Sequence, residues 1–226
     1  MQQKFFYHLA VEDDAEEIIE FLCNNFVYEE PATRSLNIRP DDARELYTTI
    51  VHHCLRYPFS TVVTTADGTI AAVLMNNIWK REDGISAADY DLTNLPEGLA
   101  AYMKMSNIIH ADFWEMVPSN VTAVLFREFS LVSKPFQRQG IAKKMVTCQM
   151  SIDKLKMFNI GGVVSETSSF ANQTLLAKQG FKCLRELAYS DVLDTQGNCL
   201  IVPDDGAKGL RLNYKPIEKF ELAPES

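Results

Sequence analysis

A short polar turn at residues 137–143 has the composition of an anion-binding site. It reads Gln-Arg-Gln-Gly-Ile-Ala-Lys, with Gly140 at its centre and a second lysine directly after it. Backbone N–H groups at the start of a helix have no partner within the helix, and the helix dipole adds positive potential there. A glycine has no Cβ to hold a phosphate away from the backbone. The turn therefore predicts binding of a phosphate-containing ligand.

Two adjacent acids, Glu29 and Glu30, precede Pro31 in a segment flanked by aromatic residues. Most acidic pairs of this kind are solvated loop residues. A carboxylate beside aromatic surface can also have a raised pKa, which suits a general base that takes a proton from an amine. The local sequence leaves both interpretations open, and Glu128, on a predicted strand, is a second candidate for the base.

Ser168 and Ser169 stand in a polar run just before a further predicted helix. Serines at this position are natural N-cap residues, and capping alone can explain them. The alternative is catalytic, because a hydroxyl can protonate a departing group or hold a bridging water.

A strand and a helix must position the polar turn. Residues 124–132 are rich in β-branched and aromatic side chains and predict a largely buried strand. The strand breaks at Lys134-Pro135, because proline cannot continue a central ladder. A helix then begins at Gln139-Gly140, and its apolar face is formed by Ile141, Met145, Cys148, Ile152 and Leu155.

A second short strand is predicted at 163–165, after a helix end at 159–162. The order strand, helix, strand implies a right-handed parallel βαβ unit. Ligands of such sheets bind at the carboxyl ends of the strands. We therefore expect the polar turn and the loop after Ser165 to form one site.

The rest of the chain predicts a scaffold around this unit. A strand at 5–10 and a helix reaching about residue 25 come first, and a second helix follows at 41–57. A hairpin turns at Asp67-Gly68, and two β-rich runs at 181–192 and 209–214 suit an antiparallel pair. The aromatic, partly helical segment at about 80–120 either packs as core or lines a pocket. We predict one α/β domain over residues 1–226, with an insertion at about 80–120.

Composition excludes several classes of function. A net charge of −8 argues against binding of nucleic acid and suits cationic partners. The five cysteines are scattered without a CxxC pair, and His52-His53 point in different directions on a helix, so no metal site is expected. No apolar run reaches membrane-spanning length. We expect a cytoplasmic protein without membrane partners, present as a monomer or weak dimer.

At the polar turn the sequence resembles the GNAT superfamily of acetyl-CoA-dependent N-acetyltransferases. The signature Gln/Arg-x-x-Gly-x-Gly/Ala matches Gln137, Gly140 and Ala142, in the strand–turn–helix context that the chemistry requires. The segment ending in Glu30-Pro31 also resembles the Asp-Glu-Pro segment of insect-type arylalkylamine N-acetyltransferases, with Glu29 replacing the Asp. The resemblance spans nearly the whole chain and is weakest at 79–120. It implies a mixed, mostly antiparallel central sheet with a parallel βαβ unit and helices on both faces.

The resemblance also assigns roles to individual residues. It implies that Glu30 is the general base and that Ser168 protonates the departing thiolate or holds a water. The insect-type enzymes carry a second serine four residues after the first, where this chain has Asn172. Many other members carry a tyrosine where this chain has Leu176. The expected acetyl-CoA contacts are Leu131, Val132, Ser133, Gln137, Arg138, Gln139, Gly140, Ile141, Ala142, Lys143 and Asn172.

The implied activity is transfer of an acetyl group from acetyl-CoA to the primary amine of a small arylalkylamine, such as dopamine, tyramine or serotonin, by direct attack. Two alternatives stay open: an acceptor that is a polyamine or a protein amino group, and a catalytically silent module that binds acetyl-CoA. Glu128 remains the rival base. Phe126, two residues earlier, occupies the position where other members place a catalytic carboxylate.

Overall fold

A computed structural model describes residues 3–84, 95–194 and 196–222. Seven strands form one sheet: β1 Phe6–Leu9, β2 Thr61–Thr64, β3 Ile70–Lys80, β4 Ala123–Val132, β5 Ile160–Thr167, β6 Lys182–Ala188 and β7 Gly209–Pro216. The α-helices are α1 Ala15–Phe21, α2 Val27–Glu29, α3 Pro31–Ser35, α4 Pro40–Leu55, α5 Glu97–His110, α6 Phe113–Met116, α7 Ile141–Met145, α8 Ile152–Met157 and α9 Phe170–Lys178. A π-helical segment, Leu22–Phe26, joins α1 to α2.

The sheet has the strand order β1-β2-β3-β4-β5-β7-β6. β4 and β5 run parallel, and the other described neighbours are antiparallel. The mixed, mostly antiparallel sheet with its parallel βαβ unit is therefore confirmed. The two tail strands also pair as predicted, with β7 lying between β5 and β6.

Helices cover both faces of the sheet, because its central strands carry apolar side chains on both sides. On one face, α1, α4 and α5 pack against side chains that include Met75, Phe126 and Phe129. On the opposite face, α7 packs against Leu74, and α8 and α9 pack against Leu125. None of the helices in the described ranges is long and apolar enough to cross a membrane.

β4 contains a β-bulge at Glu128. Met75 pairs with Phe129 and Asn76 pairs with Arg127, so Glu128 has no partner of its own on β3. A bulge inserts an extra residue and changes the direction in which neighbouring side chains point. As a result, the Arg127 guanidinium reaches the segment between α7 and α8, whereas Glu128 lines a cavity beside α4 and α5.

β4 and β5 separate just beyond this bulge. Their last registered pair is Arg127 with Ser165, although β4 continues to Val132 and β5 continues to Thr167. An unpaired strand edge offers backbone donors and acceptors to a ligand. The separation lies at the carboxyl end of the parallel pair, where the sequence predicts the site.

The helix after the polar turn is not the single helix that the periodicity predicts. The structure has two short helices, α7 and α8, with turns between them. In a continuous helix the carbonyl of Val146 would accept from the N–H of Met150. It instead accepts a 2.5 Å hydrogen bond from Arg127 Nη2, and the Met150 N–H donates to Thr147 O. A buried arginine from β4 thus interrupts the helix.

β5 begins earlier than predicted. Ile160, Gly161 and Gly162 belong to the strand rather than to the end of a helix. A Cβ on Gly162 would overlap the ring of Tyr214 on the neighbouring strand β7. Close packing of these two strands, and not a helix stop, accounts for this glycine.

The first helical segment extends beyond its predicted end near residue 25. Helical conformation continues through the π-helical segment and α2 to Glu29, and Glu30 then adopts extended backbone angles. The insertion at about 80–120 contains α5 and α6, and residues 85–94 within it lie outside the described residues.

Candidate active site

A cavity of about 130 Å³ lies where β4 and β5 separate, beneath α4 and α5. Its polar wall includes Glu30, Glu128, Glu166, Ser168 and Asn172. Its apolar wall is largely aromatic and includes Phe26, Tyr47, Trp79, Tyr102, Phe126 and Phe129. The structure thus brings together acids from three different elements in a pocket that can also receive an aromatic ring.

Glu30 is the N-cap residue of α3, with Pro31 at the first helical position. Its Oε1 accepts from the N–H of Ala32 at 3.1 Å, and its Oε2 accepts from the N–H and the hydroxyl of Thr33 at 2.6 and 2.7 Å. Only 7% of the residue is exposed. The pair is therefore not a solvated loop: Glu30 is buried, and these donors fix its orientation.

Ser168 donates a hydrogen bond from Oγ to Glu30 Oε1 at 2.7 Å. Its backbone carbonyl accepts from the hydroxyl of Tyr189 at 2.9 Å. The N-cap of α9 is the neighbouring Ser169, whose Oγ accepts from the N–H of Asn172. Capping therefore accounts for Ser169, and the hydroxyl of Ser168 belongs to the cavity.

Asn172 lies in the first turn of α9 and lines the same cavity as Ser168. Where the resemblance implies two serine hydroxyls, this chain therefore has one hydroxyl, of Ser168, and one amide, of Asn172. Leu176, one turn further along α9, is buried in the core on the other face of the sheet. No tyrosine stands at this point of the helix.

Glu128 lies on the cavity wall with a single polar side-chain partner, Asn77, whose Nδ2 is 3.5 Å from Oε1. Burial raises the pKa of Glu128 to about 8, and the negative charge of Glu166 adds to this rise. The two acids are neighbours because they follow Arg127 and Ser165, the last registered pair of β4 and β5. A carboxyl group with this pKa is mostly protonated at neutral pH.

Glu166 is an acid of this cavity that no motif in the sequence singles out. Its Oε1 accepts from the hydroxyls of Tyr102 at 3.2 Å and Ser106 at 3.0 Å. Its Oε2 lies 2.9 Å from Nε2 of His110, but the orientation of the two groups does not allow a hydrogen bond between them. A signal was present in the sequence, since Glu166 directly follows the strand predicted at 163–165, at the sheet edge where ligands bind.

Two residues of the polar turn have left-handed backbone angles, Arg138 with φ of +63° and Gly140 with φ of +82°. No atom lies within 4 Å of the position that a Cβ of Gly140 would occupy. Glycine is therefore favoured at this position by the positive φ angle and not by a lack of space. Within the described chain, the backbone N–H groups of 138–143 donate to no other protein group. Because α7 has only five residues, an anion at this turn would be held by these free N–H groups more than by a helix dipole.

Backbone N–H and C=O groups of successive β4 residues point to opposite sides of the strand. Of the expected cofactor contacts Leu131, Val132 and Ser133, only Val132 therefore offers its backbone groups at the open edge. The N–H of Ser133 donates to Ala71 O, which places Ser133 and Leu131 among the residues bonded to β3. Val132, like Ser130, therefore directs its backbone towards the open edge. The side chain of Gln137 already donates to Val132 O at 2.9 Å.

The structure thus places the two groups of expected site residues at adjacent positions. Glu30, Ser168 and Asn172 line the cavity, and the turn at 137–143 follows the free edge of β4. Among the described residues, no group of three His, Cys, Asp or Glu side chains is arranged to hold a metal ion.

Neither a family model nor a curated protein sequence matches the chain. Solved structures do share its fold. Arylalkylamine N-acetyltransferase 2 from Aedes aegypti aligns with a TM-score of 0.81 at 20% identity, over 95% of this chain and 99% of that chain. The Drosophila melanogaster polyamine N-acetyltransferase, which forms N-acetylagmatine, aligns with a TM-score of 0.72 at 13% identity, over 95% and 100%.

A more distant similarity is to NAA60 of Arabidopsis thaliana in complex with acetyl-CoA, with a TM-score of 0.51 at 12% identity over 95% of this chain and 100% of that chain. At these identities the similarity establishes the fold, which is that of the GNAT N-acetyltransferases, as the resemblance at the polar turn predicted.

Proposed function

We propose that this protein transfers an acetyl group from acetyl-CoA to the primary amine of a small arylalkylamine. The observation that carries the proposal is the separation of β4 from β5 directly above a cavity that holds Glu30 and Ser168. A free strand edge and a turn with unpaired N–H groups can position a thioester and stabilise an oxyanion, and a buried carboxylate–hydroxyl pair can move protons.

Acetyl-CoA fits the free edge and the turn. The backbone groups of Ser130 and Val132 would bond the amides of the pantetheine arm, after the side chain of Gln137 releases the Val132 carbonyl or shares it. The N–H groups of 138–143 would hold the pyrophosphate, with the charges of Arg138 and Lys143 beside them. This arrangement would direct the thioester towards the cavity at Asn172.

The chemistry needs two proton transfers. One proton must leave the substrate ammonium to free the nucleophilic lone pair, and we assign it, through a water, to Glu30. The nitrogen then attacks the thioester carbonyl, and the carbon–sulfur bond breaks as the amide forms. We assign to Ser168, whose hydroxyl hydrogen-bonds to Glu30, the transfer of a proton to the departing thiolate. The second proton of the amine, lost as the amide forms, replaces the proton that Ser168 gives up. Backbone N–H groups at the edge of β4 would stabilise the oxyanion.

The acceptor class follows from the cavity walls. A cationic amine is attracted by the carboxylates of Glu30 and Glu166, since Glu128 is mostly protonated at neutral pH. The aromatic wall gives an aromatic ring a large apolar surface. The carboxyl groups also favour a second candidate, a polyamine, because a longer cation could contact more than one of them. The aromatic lining favours an arylalkylamine over a polyamine, and we propose the arylalkylamine for that reason.

The proposal is tested by measuring the release of free thiol from acetyl-CoA in the presence of different amines. The amines are tyramine, dopamine, serotonin, spermidine and a lysine peptide. A preference for the aromatic amines is the expected result. A preference for spermidine would move the acceptor to the polyamines. Binding of acetyl-CoA with no thiol release on any amine would show a silent cofactor-binding module and would contradict the proposed activity.

A further inference from the structure

A second polar cluster lies in the cavity wall, apart from Glu30 and Ser168. It consists of Tyr102, Ser106 and His110 on α5 and Glu166 at the end of β5. Both hydroxyls donate to Oε1 of Glu166, and burial together with the charges of Glu166 and Glu30 holds the pKa of Tyr102 well above its usual value. Tyr102 is therefore a donor at any working pH, and Oε1 has two partners.

The other half of this cluster lacks hydrogen-bond partners. His110 is 5% exposed, and neither of its ring nitrogens makes a hydrogen bond with the described residues. Its Nε2 and Oε2 of Glu166 are 2.9 Å apart without hydrogen-bond geometry. Buried polar atoms are rarely left without a partner, since doing so costs about 1–3 kcal/mol each. His110 and Glu166 both line the cavity, so a polar group of a ligand there could supply the missing hydrogen bonds.

The surroundings of His110 are shaped for an aromatic ring. The imidazole makes edge contacts with Trp79 and Phe126, at centroid distances of 4.8 and 5.2 Å. Trp79 and Phe126 themselves stack at 3.9 Å. A ring in the cavity would therefore have apolar surface beside it and the His110–Glu166 couple at one edge.

We propose that Glu166 and His110 together bind the hydroxyl group on the ring of the acceptor amine. This inference rests on the proposed function and adds to it the residues that select the substrate. A hydroxyl can donate to Oε2 of Glu166 and accept from a ring N–H of His110 at the same time. A second ammonium group has donors only and would face that N–H, so the couple suits a phenol better than a diamine.

Paired substrates that differ by this hydroxyl test the inference. Tyramine and phenethylamine have the same amine and the same ring, and kcat and KM for each are measured with the wild-type protein, with Glu166→Gln and with His110→Phe. The phenylalanine keeps a ring against Trp79 and Phe126. Glu115→Gln, an exposed acid on α6, is the matched control for loss of one negative charge. Melting temperature and acetyl-CoA affinity show whether each variant folds.

We expect the wild type to prefer tyramine by about tenfold or more in kcat/KM, mainly through KM, since a hydrogen bond to a charged group contributes about 1.5–3 kcal/mol. Both site variants should bring that ratio close to unity, and Glu115→Gln should leave it unchanged.

Equal use of both amines by the wild type, or a preference that survives in both variants, would overturn the inference and leave the acetyltransferase activity standing. Spermidine used better than tyramine would overturn it as well. If no amine is acetylated, the proposed function fails. In that case, the affinities of tyramine and phenethylamine are compared by calorimetry with coenzyme A present. A higher affinity for tyramine would still support recognition of the hydroxyl by Glu166 and His110, and equal affinities would overturn it.

Discussion

Ser168 Oγ donates a 2.7 Å hydrogen bond to Glu30 Oε1 across a sequence separation of 138 residues. Glu30 also receives two backbone N–H groups and the hydroxyl of Thr33, so four donors surround a carboxylate that is 7% exposed. The two residues assigned to catalysis from a local resemblance therefore contact each other directly. This contact couples the end of β5 to the start of α3.

Replacing Ser168 with alanine removes one donor from the buried Glu30 carboxylate and the proposed proton path to the thiolate. We expect the free energy of unfolding to fall by about 1–3 kcal/mol. We expect kcat to fall by roughly 10–100-fold, up to the lower end of the range of general acid–base contributions. Ser169→Ala is the control, since it removes the N-cap of α9 and should cost stability of about 1 kcal/mol with a much smaller loss of kcat. Similar kcat values for both variants would remove Ser168 from the chemistry.

Replacing Glu30 with glutamine tests the base directly. The amide oxygen can still accept from α3, so the fold should persist, but the side chain can no longer take a proton. We expect kcat to fall by about 10²–10⁴-fold, while KM for acetyl-CoA stays close to the wild-type value. Glu29→Gln, at the adjacent position, should retain turnover. Full turnover of Glu30→Gln across the pH range would exclude Glu30 as the base.

The pH dependence of kcat/KM separates Glu30 from its rival Glu128. Burial raises the pKa of Glu128 to about 8, so a reaction that used Glu128 as base would lose rate as pH falls below about 8. With Glu30 as the base, we expect Glu128→Gln to keep the same profile as the wild type. Loss of an acidic limb near pH 8 in Glu128→Gln, together with a large fall in kcat, would transfer the role to Glu128.

Glu128 also makes stability depend on pH. Its pKa is about 8 when folded against an ordinary value of 4.5, so the folded state binds the extra proton between these values. The resulting contribution to stability is fully present below about 4.5 and is lost as pH rises through 8. We expect the melting temperature of Glu128→Gln, relative to wild type, to increase from pH 5 to pH 9. A difference that does not change over this range would contradict the raised pKa.

Gly140→Ala tests the polar turn. An alanine at φ of +82° is strained by about 1 kcal/mol, and relief of this strain would move the N–H groups of the turn. We expect KM for acetyl-CoA to rise severalfold while KM for the amine stays the same. Gly68→Ala is a matched control, because Gly68 has φ of +87° in the hairpin turn between β2 and β3, also with nothing near its Cβ position. Equal effects of the two variants on acetyl-CoA would indicate strain alone.

Much of the architecture follows from local patterns in the sequence. The β-branched run before Lys134, the Asp67-Gly68 hairpin and the polar turn around Gly140 all lie where periodicity and turn chemistry predict them. These features depend on residues close together in the chain, whose conformational preferences act without distant contacts. The same locality is why the fold class and the strand–turn–helix unit could be predicted.

Other features were decided by tertiary contacts alone. The apolar face that continues from Met145 to Leu155 predicts one helix, but a hydrogen bond from Arg127 to Val146 interrupts it. The bulge at Glu128 is likewise a matter of register between two strands. No local pattern distinguishes an arginine that points into the core from one that points to solvent.

The site itself shows the same division. The sequence by itself determined that Glu30 and Ser168 have side chains suited to proton transfer, but their contact and the place of Glu166 beside Glu128 exist only in the folded chain. Hydrogen bonds and pKa shifts depend on burial and on the distance between charges. Both quantities are set when α3, α5, β4 and β5 come together around one cavity, and not before.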